Sequence, residues 1–180
     1  LKGRPSEAEA VIVQRDIALA AKTGGRYHVL HMSTAEATHL VRSAKAAGTR
    51  VTSEVTPQHL VLTEEDVERL GSSGKMNPPL RTGDDVAALR AGLLDKTIDA
   101  IATDHAPHTW EEKSQSYSQA PAGLPLVQHG MQILMDFYHQ DILSLETIVQ
   151  KTSHNVANRF QVKERGYIRE GYYADLTVLD

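Results

Sequence analysis

The sequence has 180 residues, of which 41% are hydrophobic and 23% are charged, as is usual for a folded globular protein. Its formal net charge of −4 gives no basic surface for a nucleic acid, and without cysteine it forms no disulfide or thiolate metal site. No apolar run approaches the roughly 18 residues of a membrane-spanning helix, so we expect no membrane association and a cytoplasmic location. Nine histidines are the first indication of metal or acid–base chemistry.

Helical and strand patterns alternate along the first half of the chain, which is typical of α/β folds with parallel strands. Two capping boxes are predicted, Ser6 with Glu9 and Ser33 with Glu36. The predicted elements are helices over about 7–22, 33–47 and 63–70, and strands over 27–31 and 50–56.

The second half continues the alternation and then changes character. We predict a loop over 71–83, a helix over 84–94, a strand over 98–103, a long polar loop over 105–121, helices over 124–138 and 145–151, and strands from Gly166 onward. The sequence stops directly after the strand-like run 174–179, which would leave unpaired backbone groups. We therefore expect both ends to be cuts in a longer protein, with a complete small domain as the alternative.

Three predicted strands end in polar residues, namely His31, Glu54 and Asp104. In a parallel α/β barrel the carboxyl ends of the strands face the active site. Asp104 has two interpretations, a metal ligand that also carries a proton and an ordinary turn residue. The dense cluster of polar residues over 104–108 favours the interpretation as a metal ligand. His31 alone is more typical of a packed core, but beside Asp104 it is a candidate zinc ligand.

Other polar residues near these strand ends have open assignments. His59 could line the pocket or pack a loop, and Asn77, stiffened by two following prolines, could meet a planar polar substrate or merely form a turn. Glu54 is expected to support the site through hydrogen bonds. Five further histidines are expected to be structural: His28, His39, His129, His139 and His154.

Four segments carry a resemblance to a known family, namely 31–36, 54–60, 75–81 and 102–108. In this order they resemble the longer, bacterial-type dihydroorotases of the amidohydrolase superfamily. The tetrapeptide 103–106 is shared with hydantoinases and allantoinases, whereas Met76 to Arg81 is more specific to dihydroorotases. Gln58 stands where the longer enzymes often have histidine, a position outside the family's metal ligands.

The resemblance implies a fold and a site. The fold would be the C-terminal part of a TIM-like (β/α)8 metal-dependent hydrolase barrel, about strands six to eight, over residues 1–160, with 161–180 beginning a small β domain. His31 and Asp104 would bind two zinc ions together with ligands outside this sequence, and Asp104 would shuttle the proton. Substrate would be held by four further residues: Asn77, His108, Ala122 and Gly123.

The implied reaction is the interconversion of dihydroorotate and N-carbamoyl-aspartate in pyrimidine biosynthesis. The sequence lacks the family's His-x-His pair, its bridging carboxylate or carbamylated lysine, and its strand-five histidine, so we expect the isolated chain to be inactive. Two alternatives remain: an allantoinase- or hydantoinase-type cyclic amide hydrolase, and a non-catalytic dihydroorotase-like subunit that scaffolds aspartate transcarbamoylase. Expected partners are the small-molecule substrate and either a homo-oligomer or aspartate transcarbamoylase.

Overall fold

A computed structural model describes residues 4–179 of the chain. Within that range, helices surround a short sheet of three strands. The helices are α1 (Ser6–Thr23), α2 (Ala35–Ala46), α3 (Pro57–Val61), α4 (Glu64–Leu70), α5 (Gly83–Leu94), α6 (Trp110–Lys113), α7 (Gly130–His139), α8 (Leu145–Val149) and α9 (Asn155–Phe160). The strands are β1 (Tyr27–Val29), β2 (Val51–Val55) and β3 (Ala100–Ile101), and short 3₁₀ and π turns cover Gly71–Gly74 and Gln150–His154.

The sheet is parallel throughout, with β2 between β1 and β3. Val29 pairs with Ser53, and Val55 pairs with Ile101, so the three strands end at the same edge. Each strand reaches the next through a helical crossover, as the alternating pattern in the sequence predicted. This parallel arrangement places the segments that follow the strands side by side.

One face of the sheet forms the hydrophobic core. On β2, buried and half-buried residues alternate, because successive side chains point to opposite faces. The buried side chains pack against the helices: Val29, Val51, Val55, Leu89, Leu93, Ile98, Leu134 and Phe137. A smaller cluster of Val67, Met76 and Leu80 lies beneath the loop that follows α4. No helix within residues 4–179 is long and apolar enough to cross a membrane.

Both predicted capping boxes are wrong. Pro5 precedes α1 without a side-chain cap, and Thr34, rather than Ser33, caps α2 by accepting from the amide of Ala37. Glu9 is instead turned toward the segment after β1, where it accepts hydrogen bonds from Ser33 and Thr34. A tertiary contact therefore replaces the predicted local ones.

The C-terminal quarter also differs from the prediction. The apolar helix begins at Gly130 rather than at Leu124, and α9 was not predicted. Residues 166–179 contain no strand, so the predicted strands there are wrong for the described chain. The run 174–179 is exposed and has no neighbouring strand with which to pair. The division at 160/161 stays a prediction.

Candidate functional site

His31 and Asp104 follow two different strands of the sheet at its carboxyl edge. His31 comes two residues after β1, and Asp104 comes three residues after β3. The backbone beyond each strand is hydrogen-bonded to β2: the amide of Met32 donates to the carbonyl of Glu54 (2.9 Å), and the amide of Ala102 donates to the carbonyl of Val55 (3.0 Å). Two strand spacings, about 10 Å, separate β1 from β3. The structure therefore places the two predicted ligands on one edge, as expected from the sequence.

Both residues have a left-handed backbone, with φ of +31° at His31 and +47° at Asp104. This conformation is costly for residues other than glycine and persists where the surrounding structure enforces it. Within residues 4–179, the other four non-glycine residues with positive φ lie at helix ends or in the loop beyond α9: Lys96, Asp141, Gln161 and Glu164. Only His31 and Asp104 of this set follow strands, a position typical of functional side chains.

The segment after β1 is held in place by Glu9 of α1. The Glu9 carboxylate accepts from the amides of Ser33 and Thr34, each at 3.0 Å, and from both of their hydroxyl groups. Ser33 and Thr34 are themselves fully buried. Four hydrogen bonds to one carboxylate fix the backbone directly beyond His31 and restrict where its imidazole can lie.

His31 and Asn77 line the same cavity, which has a volume of about 510 Å³. Arg4 donates to the Asn77 side-chain oxygen, and Arg81 donates to the carbonyl of Arg4 (2.8 Å) and to the hydroxyl of Ser33 (3.2 Å). The Asn77 side chain is therefore part of a polar network connected to the segment that follows β1. The structure brings these two predicted site residues together.

His59 is buried and packs a loop. It bonds Thr56 Oγ1 through Nδ1 (2.7 Å) and the Pro78 carbonyl through Nε2 (3.2 Å). Because a carbonyl only accepts, Nε2 carries the proton and Nδ1 accepts from the Thr56 hydroxyl. Burial lowers the pKa of His59 to about 4, and the carbonyls of Pro78 and Pro79 offset this only in part. Of the two assignments left open from the sequence, loop packing agrees with these contacts.

Asp104 lies exposed at the end of its strand. The described residues leave this part of the edge open. Directly before it, the carbonyl of Thr103 accepts from Gln58 Nε2 (3.4 Å), and directly after it, His105 Nδ1 accepts from the amide of Val127 (3.1 Å). The backbone on both sides of Asp104 is thus tied to other elements.

The three remaining predicted substrate residues are adjacent. His108 donates from Nε2 to the carbonyl of Ala122 at 3.1 Å. Gly123 has φ of +140°, and a Cβ there would lie 2.5 Å from Ala106 Cβ and 3.1 Å from His108 Nε2. Glycine is therefore required by both the backbone conformation and the space available. His108, Ala122 and Gly123 form one compact group, while Asn77 lies on a separate loop.

Two lysines join these loops, and sequence reasoning missed both. The buried Lys113 ammonium donates to the carbonyls of Lys75 (3.0 Å), Pro121 (3.1 Å) and Gly123 (3.2 Å). Lys75 donates in turn to Tyr117 O (2.7 Å) and Ala120 O (2.6 Å). Burial, and secondarily the charge of Lys75, lowers the pKa of Lys113. No sequence pattern indicates such burial, since lysine at a short helix end is usually solvated.

Glu54 does not support His31 in the described residues. Its carboxylate lies 3.0 Å from His28 Nε2, and His28 Nδ1 lies 2.8 Å from Thr52 Oγ1. This half-buried network lies on the face of the sheet opposite the core. The expectation that His28 is structural agrees with these contacts, whereas Glu54 supports a neighbouring strand rather than the candidate ligand.

An imidazole and a carboxylate form a donor pair that suits zinc. His31 and Asp104 supply this pair on one sheet edge with backbones held in a costly conformation. Within residues 4–179 no three His, Asp or Glu side chains converge closely enough to hold a metal ion. A zinc site at this edge would therefore need ligands beyond these two residues.

Comparison with known proteins places the chain in a family. The family model described as Amidohydrolase family matches residues 8–180. A dihydroorotase from Anoxybacillus flavithermus is 47% identical over 181 residues, and one from Bacillus cereus is 46% identical. Each alignment covers the whole chain but only 42% of the relative's length.

Solved structures of related hydrolases share the fold. Dihydropyrimidinase from Brevibacillus agri superposes with a TM-score of 0.88 at 29% identity, over 94% of this chain and 39% of that one. L-Hydantoinase from Arthrobacter aurescens gives 0.89 at 28% identity, with the same coverage. These matches confirm the prediction of an α/β fold of the TIM-like barrel class, while its assignment to strands six to eight stays a prediction. The chain belongs to the amidohydrolase family.

Proposed function

We propose that the protein of which this chain forms a part is a dihydroorotase, a cyclic amide hydrolase that interconverts dihydroorotate and N-carbamoyl-aspartate. The observation that carries the proposal is the 47% identity to a dihydroorotase along the entire chain. The superposed hydantoinase and dihydropyrimidinase structures are 28–29% identical. The chain spans 42% of its curated relatives, so the activity belongs to the longer protein.

Substrate recognition is assigned to the two loops beyond β2 and β3. Asn77 presents an amide at the cavity that His31 lines, which suits the paired donors and acceptors of a pyrimidine ring. His108 lies against Ala122, so that imidazole and nearby backbone groups could together bind the substrate carboxylate. These assignments rest on the resemblance in sequence and on the adjacency of the residues.

Zinc is the proposed cofactor, two ions in a complete site, with His31 and Asp104 among the ligands. When bound, zinc lowers the pKa of water toward ~7 and polarises the carbonyl that is attacked. Asp104, exposed at the sheet edge, accepts a proton from the attacking water through its carboxylate and delivers it to the departing ring nitrogen. In cyclisation the same carboxylate moves the proton in the opposite direction.

A chimera tests the proposal. The matched 181-residue region of the Anoxybacillus flavithermus dihydroorotase is replaced by this chain, and dihydroorotate, hydantoin and allantoin are each assayed with the zinc-loaded protein. We expect turnover of dihydroorotate well above the other two. A folded, zinc-loaded chimera that prefers hydantoin or allantoin would support the alternative cyclic amide hydrolase. One that is inert to all three would support the non-catalytic subunit that scaffolds aspartate transcarbamoylase.

The isolated chain is proposed to be inactive, because a zinc site needs about three or four protein ligands and the family pattern supplies two here. Dihydroorotate turnover by the 180-residue chain alone would contradict this. A homo-oligomer or an aspartate transcarbamoylase partner, the lack of nucleic-acid binding and a cytoplasmic location all stay predictions.

A further inference from the structure

Three arginines surround a small pocket at the amino edge of the sheet, the end opposite His31 and Asp104. Arg26 directly precedes β1, Arg50 directly precedes β2, and Arg159 lies in α9. They line a pocket of about 200 Å³ together with Tyr27, Val51 and Thr52. Three separate elements thus bring three permanent positive charges to one concave surface.

The Arg159 side chain is restrained before any ligand arrives. Its Nε donates to Thr52 Oγ1 at 2.8 Å, and its guanidinium carbon lies 5.6 Å from the centre of the Phe160 ring. The Arg26 guanidinium donates to the Arg159 carbonyl at 3.4 Å. Each guanidinium has five N–H groups, so these contacts leave several donors of Arg26 and Arg159 available for a ligand.

The three arginines have no carboxylate partner among the described residues. Within residues 4–179, none of the three arginines has a carboxylate oxygen within 4.0 Å, whereas Arg15, Arg42, Arg69 and Arg165 each have one. Two acidic groups on adjoining elements are otherwise engaged: Glu54 bonds His28, and Asp16 pairs with Arg15. Like charges that converge without counterions repel one another, so an anion in the pocket would relieve that repulsion.

We propose that this three-arginine pocket binds a phosphoryl group, as inorganic phosphate or as the phosphate of a small ester. Guanidinium groups match the oxygen geometry of phosphate through paired N–H donors. The volume suits one such group and little more. The proposal does not depend on the proposed hydrolase activity, because the pocket lies at the other end of the strands.

The test titrates the ¹⁵N-labelled chimera with phosphate and follows the backbone amide resonances of the present chain within it, with chloride at matched ionic strength as the control. We expect saturable shifts at the amides of residues 26–27 and 50–52. Shifts that saturate elsewhere, or that spread over the surface without saturating, would overturn the proposal.

Matched variants identify the charges responsible. Arg50→Gln and Arg26→Gln should each weaken phosphate binding about tenfold, as expected on losing a charge-assisted contact. Arg42→Gln removes an arginine that pairs with Asp95 elsewhere on the surface and should leave the affinity unchanged. Equal weakening by all three variants would show a general charge effect and overturn the proposal.

A small ester, methyl phosphate, distinguishes the two sources of phosphate. Tighter binding than inorganic phosphate would assign the pocket to a phosphate ester. Equal affinity would assign it to the phosphoryl group alone.

Discussion

His59 donates a hydrogen bond from Nε2 to the carbonyl of Pro78, 3.2 Å away, and so connects the end of β2 to the loop that presents Asn77. The donor must be the neutral ring, since Nδ1 accepts from Thr56 on the other side. A buried histidine in this position makes the geometry of the loop sensitive to acid.

The pKa of about 4 at His59 gives a pH dependence with a definite sign. Between pH 6.5 and pH 4 the unfolded chain binds a proton that the folded chain excludes, so stability falls as the pH falls through this window. The unfolding free energy of the wild type should decrease from pH 7 to pH 5, and in His59→Gln this decrease should be smaller by about 2 kcal/mol. Urea unfolding at the two pH values measures it. His39→Gln, at an exposed position on α2, is the control, and an identical pH dependence in wild type and His59→Gln would contradict the assignment.

Asp104 can be tested against a second aspartate with the same backbone conformation. In the active chimera, Asp104→Asn should lower kcat on the order of 10³-fold, because the amide cannot carry the proton. Asp141→Asn, at φ of +56° after α7, should leave kcat unchanged. Steady-state kinetics and zinc content are measured on both. Near-normal turnover by Asp104→Asn would remove this residue from the reaction.

Lys113 should determine how firmly the His108 loop is held. Lys113→Met leaves three carbonyls without their charged donor, and we expect a loss of about 2–3 kcal/mol in unfolding free energy. Hydrogen exchange of the Gly123 amide, which bonds to Lys75 O, should accelerate. Lys22→Met, on the exposed end of α1, serves as the comparison. Unchanged exchange at Gly123 would show that the loop is held without Lys113.

Gly123 should not tolerate a side chain. Gly123→Ala places a methyl group against Ala106 and His108 at a backbone angle that other residues rarely adopt. We expect a cost of about 2–4 kcal/mol in stability and altered histidine ring resonances for His108. Gly83→Ala, where nothing lies within 4 Å of the added carbon, should be tolerated. Thermal unfolding and ring NMR of the two variants decide the matter, and equal stability would refute the steric argument.

The sequence predicts best those features that depend on local periodicity. The alternation of helical and strand patterns along the chain predicts a parallel α/β arrangement, and that arrangement places His31 and Asp104 on one edge. The contacts of Glu9 and Lys113 could not be predicted, because each joins segments distant in sequence through one side chain. The predicted strand at 174–179 failed for a related reason: its apolar residues have strand character, but no described strand lies beside them.

The pairing of Lys75 with Lys113 has a consequence for attempts to change substrate preference. The Lys75 ammonium donates hydrogen bonds to carbonyls of the loop that follows Lys113. The Lys75 carbonyl in turn accepts a hydrogen bond from the Lys113 ammonium. The Asn77 loop and the His108 loop therefore do not behave as independent modules. Transplanting either one alone from a hydantoinase would break the bonds that shape the other, so redesign of specificity has to exchange both loops together.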